Sequence, residues 1–315
     1  MRELINTRER GGNGRKRKSG MARSTKAATA TPVARKPKAT SEFRTGIKRA
    51  DFVSAFARGL DLIRAFDADH PRLSIATAAD ATGMNRAAAR RFLLTLAELG
   101  YVRGEGEMFE LTPKVLELGH SYLSTWRVTD LVRPGLQTVV DALRENCSMG
   151  VLDGQDVVYI ARAEARRIVQ SAIISVGSRI PATVSSMGRM LLAGRSEAFV
   201  EDFLKHYPLR ASTGVTVTDR GAYLDILARV RKQGWCLVDG EFEEGLRSLA
   251  VPITDADGSV IAAINVGAPT SRATAQDMVE QFLPHLQEAS RSISQALQLA
   301  GRSNIEGSLS LGGQR

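Results

Sequence analysis

The sequence predicts two folded units of different class: a small all-α unit closed by a strand hairpin, then a larger α+β unit, with a linker helix between them. Three observations carry this. Helical spacing of apolar residues begins abruptly at about Phe52 and gives way to two short strands before Thr112. From about Val128 to Gln298, helices alternate with pairs of strands joined at Asp-Gly turns. The charge is also divided unevenly, because residues 1–50 hold 15 Lys and Arg against 3 Asp and Glu, whereas the remaining residues hold 28 against 31.

The formal charge of +9 therefore belongs to residues 1–50, and the rest of the 315-residue chain is close to neutral. Stretches such as GGNGRKRKSG and ATATPVARKPKAT carry too few apolar side chains to offset the entropy of ordering, which predicts a disordered basic tail over 1–50 attracted to polyanions. Residues 301–315 are expected to be a flexible C-terminus. The tail lacks the apolar core of a secretory signal, and no later apolar run approaches the length of a membrane span, so a cytoplasmic protein with no membrane partner is expected. Cys147 and Cys236 form no CxxC pair, and His70, His120, His206 and His285 are scattered. Neither a disulfide framework nor a metal site is supported, and no cofactor is expected.

The first unit is expected over 51–112. DFVSAFARGLDLIRAFDADHP places Phe52, Phe56, Leu60 and Ile63 at helical spacing and ends before Pro71. SIATAADATG gives a short helix with Ser74 as its cap and Gly83 as its stop. After a tight turn at Gly83 to Asn85, a third helix carries Ala89, Phe92, Leu96 and Leu99 as an apolar stripe. At about 100° per residue, Arg86 and Arg90 fall away from that stripe with Ala87 beside them, and Arg91 lies further round. GYVRGEGEMFELTP then reads as strands YVR and MFELT around a GEGE turn. Helix, short helix, turn, helix and hairpin make a winged helix-turn-helix, whose third helix enters the DNA major groove. Small alanines let its backbone sit deep in the groove, arginines at its front reach guanine edges or phosphates, and Arg103 on the hairpin reaches backbone phosphate. The expected DNA-binding set is Asn85, Arg86, Ala87, Arg90, Arg91 and Arg103.

Thr112 and Pro113 start a linker helix over 113–127, through KVLELGHSYLSTW, as N-cap and N1. The second unit is expected over 128–300. CSMGVLD with DVVYIARA and LAVPIT with SVIAAINVGAP form antiparallel hairpins, and TDRGAYLDILARVRKQGW is a helix with Thr218 as cap and Gly234 as stop. The last helix shows Phe282, Leu286, Ala289, Ile293 and Leu297 on one face, with a kink expected at Pro284. Antiparallel strands with outer helices describe an α+β sensor domain.

One segment stands out chemically. In SRIPATVSSMGRMLLAG, the hydroxyls of Thr183, Ser185 and Ser186 meet free backbone N–H groups at a helix start, an arrangement that suits a carboxylate but also a plain N-cap. There is no GxSxG, Walker loop or GxGxxG after a strand, so no enzyme is expected.

FARGLDLIRAFD, ADATGMNRAAARRFLLTLAELGYV, LTPKVLELG, SRIPATVSSMGRMLLAG, GWCLVDGEFEEGLRSLAVPI and INVGAPTSR together resemble the IclR family of bacterial transcription regulators. RAAARRFLLTL and PATVSSMGRMLLA are similar to its PcaR, PcaU and PobR branch, which controls aromatic-acid catabolism. The resemblance implies a GAF-like effector domain and dimers or dimers of dimers on a palindromic operator. It implies an effector pocket at Ser186, Met187, Asp239, Ser248, Asn265 and Gly267, beside Thr183 and Ser185. The branch implies protocatechuate, 4-hydroxybenzoate or β-ketoadipate as effector and an activator that meets RNA polymerase. A repressor answering another small carboxylate is the alternative. Arg162, Arg179 and Arg189 are candidates for the counter-charge.

Overall fold

The computed structural model describes residues 47–67, 69–126, 128–165 and 174–300. Most of the predicted basic tail and all of the predicted C-terminal extension lie outside these residues. Up to Phe52 the described chain holds a single 3₁₀ turn, Arg49–Asp51.

Helix α1, Ser54–Arg64, buries Leu62 completely, whereas Phe56 is 69% exposed. Of the expected stripe of Phe52, Phe56, Leu60 and Ile63, Ile63 packs against the core, Leu60 is half-buried, and Phe52 and Phe56 are exposed. The helix starts after Phe52, and the core forms at its C-terminal half, where Leu62, Ile63 and Phe66 meet the later helices. A short strand that periodicity does not reveal, β1 (Arg72–Ser74), leads into α2 (Ile75–Thr82). Ser74 caps α2 in a reciprocal box: its hydroxyl accepts from the Thr77 N–H at 3.1 Å, and the Thr77 hydroxyl accepts from the Ser74 N–H at 2.8 Å. Gly83, at φ 70°, ends α2 in the left-handed conformation that glycine adopts without steric cost.

Helix α3, Arg86–Glu98, buries Ala89, Leu93 and Leu96, with Phe92 half-buried and Leu99 exposed at the C-cap. The stripe therefore runs through Leu93 where Phe92 was expected, and it stops at Leu96. Strands β2 (Val102–Glu105) and β3 (Met108–Leu111) are joined by a two-residue turn, and β1 pairs antiparallel with the far side of β3 in the order β1-β3-β2. Leu73 on β1 and Phe109 on β3 close the core over α1 to α3.

Thr112 does begin the linker. Its hydroxyl caps a 3₁₀ turn at Pro113–Val115, which continues as α4, Leu116–Trp126. Helix α5, Val128–Leu143, then leads into the α+β unit. Its strands are β4 (Cys147–Asp153), β5 (Asp156–Ala163), β6 (Arg179–Pro181), β7 (Cys236–Asp239), β8 (Leu246–Thr254) and β9 (Val260–Pro269). They form one antiparallel sheet in the order β6-β5-β4-β9-β8-β7. The hairpins β4-β5 and β8-β9 are those expected.

The helices between strands are α6 (Ser186–Ala193), α7 (Glu197–His206) and α8 (Arg220–Gln233). Helix α8 is capped by Asp219, whose carboxylate accepts from the Ala222 N–H at 2.8 Å, rather than by Thr218, one residue outside the helix. After the one-turn helix α9 (Ala275–Asp277) comes a π turn at Met278–Phe282 and then α10, Leu283–Leu299. Pro284 falls in the first turn of α10, immediately after the wider turn, where its missing N–H costs least. All five expected inward residues of this helical run are buried.

Strand alternation divides the sheet into two cores. Met149, Val251 and Ile264 face α5 and α10, whereas Tyr159, Val238 and Ala263 face α6, α7 and α8. Helix α6 is wholly buried and lies so close to the preceding 3₁₀ turn, Ala182–Val184, that a Cβ on Gly188 would stand 2.1 Å from the Ala182 carbonyl oxygen. Gly188→Ala is accordingly expected to lower stability by about 3 kcal/mol, read as a shift of the urea midpoint at unchanged slope.

Candidate functional site

Two places on the chain carry chemistry. The first is the outward face of α3. Arg86, Ala87, Arg90 and Arg91 are all exposed. None of the three arginines has an ion-pair partner among the described residues. Asn85 sits at the N-cap, where its side-chain oxygen accepts from the Ala88 N–H at 2.8 Å, so its first role is to start the helix. Arg103 projects from β2 and is 73% exposed, but its guanidinium is paired with Glu110. Glu110 also takes Arg72 at 2.7 Å, and the two arginines hold its carboxyl below the usual range. The wing thus offers a cation already half neutralised, unlike the arginines of α3.

The second place is a cavity of about 120 Å³ on the face of the sheet that meets α6. Register explains its floor. On one rung, Arg162, Ser148 and Asn265 stand side by side on β5, β4 and β9. On the next, Gly267, Ser248 and Val238 stand side by side on β9, β8 and β7. Arg162 is 9% exposed and donates to the Ser148 hydroxyl at 2.9 Å while meeting Glu164 at 3.2 Å. Burial pushes the Tyr159 phenol up to about 12, against the opposing effects of Arg162 and a hydrogen bond with Asn265, so it is a neutral group near pH 7. Ile180, Val238, Phe242 and Leu246 supply apolar wall. The result is a buried cation, itself in contact with Glu164, and several neutral hydrogen-bonding groups beside an apolar slot, with Glu243 and Glu145, the latter paired with Arg272 at 2.7 Å, also on the border, in a space of the order that admits a single benzene ring (about 150 Å³).

The eight expected effector residues divide evenly. Ser185, Ser248, Asn265 and Gly267 border the cavity, whereas Thr183, Ser186, Met187 and Asp239 do not. Ser185 is the N-cap of α6 and accepts from the Gly188 N–H at 3.1 Å. Ser186 and Met187 turn into the packing behind it, both fully buried. Asp239 follows Val238 on β7 and so points to the opposite face, where it meets Arg247 at 2.9 Å. Of the three candidate counter-charges, only Arg162 is at the cavity. Arg179 pairs with Asp153 and Asp156 on the surface. Sequence reading missed Ser148 and Tyr159. The signal available for Ser148 is a polar residue between Cys147 and Met149 in an otherwise apolar strand.

Arg189 has a different task. Buried in α6, it forms a two-pronged pair with Glu241, each contact 2.6 Å, and its Nε donates to the Thr183 carbonyl at 3.0 Å. The guanidinium also lies 5.3 Å from the Tyr223 ring centre. Burial alone would raise the Glu241 carboxyl, but the Arg189 bonds and the Val217 N–H at 2.9 Å hold it below its ordinary value of 4.5. Its stabilising contribution is therefore present above that value and lost as pH falls through the lowered one. Glu241→Gln is expected to cost about 3 kcal/mol at neutral pH by denaturant titration, and the gap from the unmodified protein should close progressively in acid, below about pH 4.

Comparison with known proteins follows the same division. Residues 55–106 match the IclR helix-turn-helix domain, and residues 120–295 match the bacterial transcriptional regulator IclR C-terminal domain. The Pca regulon regulatory protein of Pseudomonas putida is 41% identical over 88% of this chain and 94% of its own length. The p-hydroxybenzoate hydroxylase transcriptional activator of Acinetobacter baylyi is 33% identical over 82% of this chain and 95% of its own. The crystal structure of an IclR homolog complexed with 4-hydroxybenzoate, from Microbacterium hydrocarbonoxydans, superposes with a TM-score of 0.69 at 26% identity, covering 78% of this chain and 99% of that one. The chain belongs to the IclR family of bacterial transcriptional regulators.

Proposed function

We propose that the chain is an effector-responsive activator of aromatic-acid catabolic genes, which binds a small aromatic carboxylate in the cavity and a palindromic operator through α3. The observation that carries this reading is the Arg162–Ser148–Asn265 rung beside apolar wall. A carboxylate placed against Arg162 gains a charge-assisted hydrogen bond in a desolvated site, while the ring lies along Val238 and Phe242. Tyr159, Ser185 and Ser248 offer hydrogen bonds to ring hydroxyls. The relatives regulate Pca and p-hydroxybenzoate hydroxylase genes by name, and one structure holds 4-hydroxybenzoate, which supports protocatechuate or 4-hydroxybenzoate as the ligand class.

At the other end, Arg86, Ala87, Arg90 and Arg91 read base edges and flanking phosphates, with Asn85 setting the helix start and Arg103 touching backbone from the wing. Residues 51–112, 113–127 and 128–300 act as reader, lever and sensor. In a cytoplasmic dimer or dimer of dimers, effector binding favours one spacing of the paired reading helices, and the activated form engages RNA polymerase. The protein works by binding and not by catalysis.

The test is fluorescence anisotropy of the full chain on its upstream DNA with nonspecific competitor, titrating 4-hydroxybenzoate, protocatechuate and β-ketoadipate in turn. A competitor-resistant complex altered by one acid is expected, and a complex indifferent to all three defeats the effector assignment. Arg162→Met should weaken binding of that acid about 10- to 100-fold by calorimetry and leave operator affinity unchanged. Arg90→Ala should cost about 1 to 3 kcal/mol in operator affinity without altering effector binding.

A further inference from the structure

We propose that α3 recognises two thymine methyl groups in each operator half-site, through Ala87 and Leu94. The inference rests on the reading of α3 as the helix that enters the major groove. Leu94 is a leucine on the polar side of this helix, 43% exposed. Ala87 is exposed as well. Seven residues separate them, so they lie within about 20° of each other around the axis and about 10.5 Å apart along it. Arg90 and Arg91 are also exposed and flank the line that joins them.

The surrounding charge identifies what covers this apolar line. Between Arg86 and Ala97 the helix holds three arginines and no acidic residue, and the arginines have no ion-pair partner among the described residues. An apolar strip flanked by uncompensated guanidinium groups fits a polyanion that displays apolar groups, and in the major groove only thymine does so, through its C5-methyl. Against any other base edge, a leucine would bury a donor or acceptor without a partner, which gives the contact its selectivity. The axial separation corresponds to about three base-pair steps of about 3.4 Å.

The experiment uses the full chain and an operator selected from a random duplex pool in the presence of competitor. Each thymine of one half-site is replaced in turn by uracil, which removes the methyl and leaves every hydrogen-bonding group. Loss of one buried methyl should weaken binding about fourfold. The expected result is such a loss at two positions about three base pairs apart, with Leu94→Ala becoming indifferent to uracil at one of them and still sensitive at the other. Leu94 is exposed, so this variant retains the fold. Uracil operators bound as tightly as thymine operators at every position would overturn the proposal while leaving α3 as the reading helix. So would a Leu94→Ala protein with both sensitivities intact. Selection of no duplex above competitor would defeat the reading of α3 itself, and the methyl contacts with it.

Discussion

The guanidinium of Arg189 sits in the middle of a fully buried helix, and an isolated charge there would be prohibitive. The surrounding chain is arranged to meet it. Glu241 closes from the loop after β7, the Thr183 carbonyl from the 3₁₀ turn before α6, and the Tyr223 ring from α8. The same carboxylate receives the Val217 N–H, and the Glu241 backbone carbonyl receives the Thr216 hydroxyl at 2.7 Å. The loop after β7 and α8, both distant in sequence, are thereby fixed against α6 together with its own leading turn, and the segment before α8 is tied to the same carboxylate. Ser185, one turn before Arg189, and Phe242, next to Glu241, border the cavity. The ion pair thus holds two walls of the cavity without taking part in it.

The sheet supplies the other constraint. Alternation gives every strand one side for α5 and α10 and another for α6 to α8, and both sides are predominantly apolar. The polar rung of Arg162, Ser148 and Asn265 interrupts the second side only. A buried cation at that rung is tolerated because Ser148 and Glu164 hydrogen-bond to it, and the same residue borders the cavity. Asp239 on β7 and Arg247 on β8, by contrast, neutralise each other on the opposite side of the sheet.

The winged helix concentrates its function differently. Its core is small, with Ala78 and Ala79 of α2 and Ala89, Leu93 and Leu96 of α3 packed against Leu62, Leu73 and Phe109, and the outward face of α3 takes no part in it. The wing spends its charge on itself, with Arg72 and Arg103 sharing Glu110 and Arg72 also meeting Glu105 at 2.9 Å. Those pairs pin β1, β2 and β3 together and leave the unpaired arginines of α3 as a local source of positive potential on a unit whose other charged residues are mostly acidic.

Local chemistry in the sequence determined the order of the three helices and hairpin of the first unit, both hairpins of the sensor, the Ser74 start, the turn ending at Asn85, the Gly83 and Gly234 stops and the exposed arginines of α3. Each depends on neighbours within a few residues. Tertiary structure decided what periodicity leaves degenerate: that α1 turns Leu62 inward and leaves Phe56 outside, and that β1 exists because β3 offers it an edge. It also decided the site. Whether Asp239 or Val238 borders the cavity depends on which face of the sheet β7 presents, and of Arg162, Arg179 and Arg189 only Arg162 borders it, because its strand register sets it beside Ser148 on the cavity floor. Those outcomes are set by register between strands far apart in the chain, which no local pattern encodes.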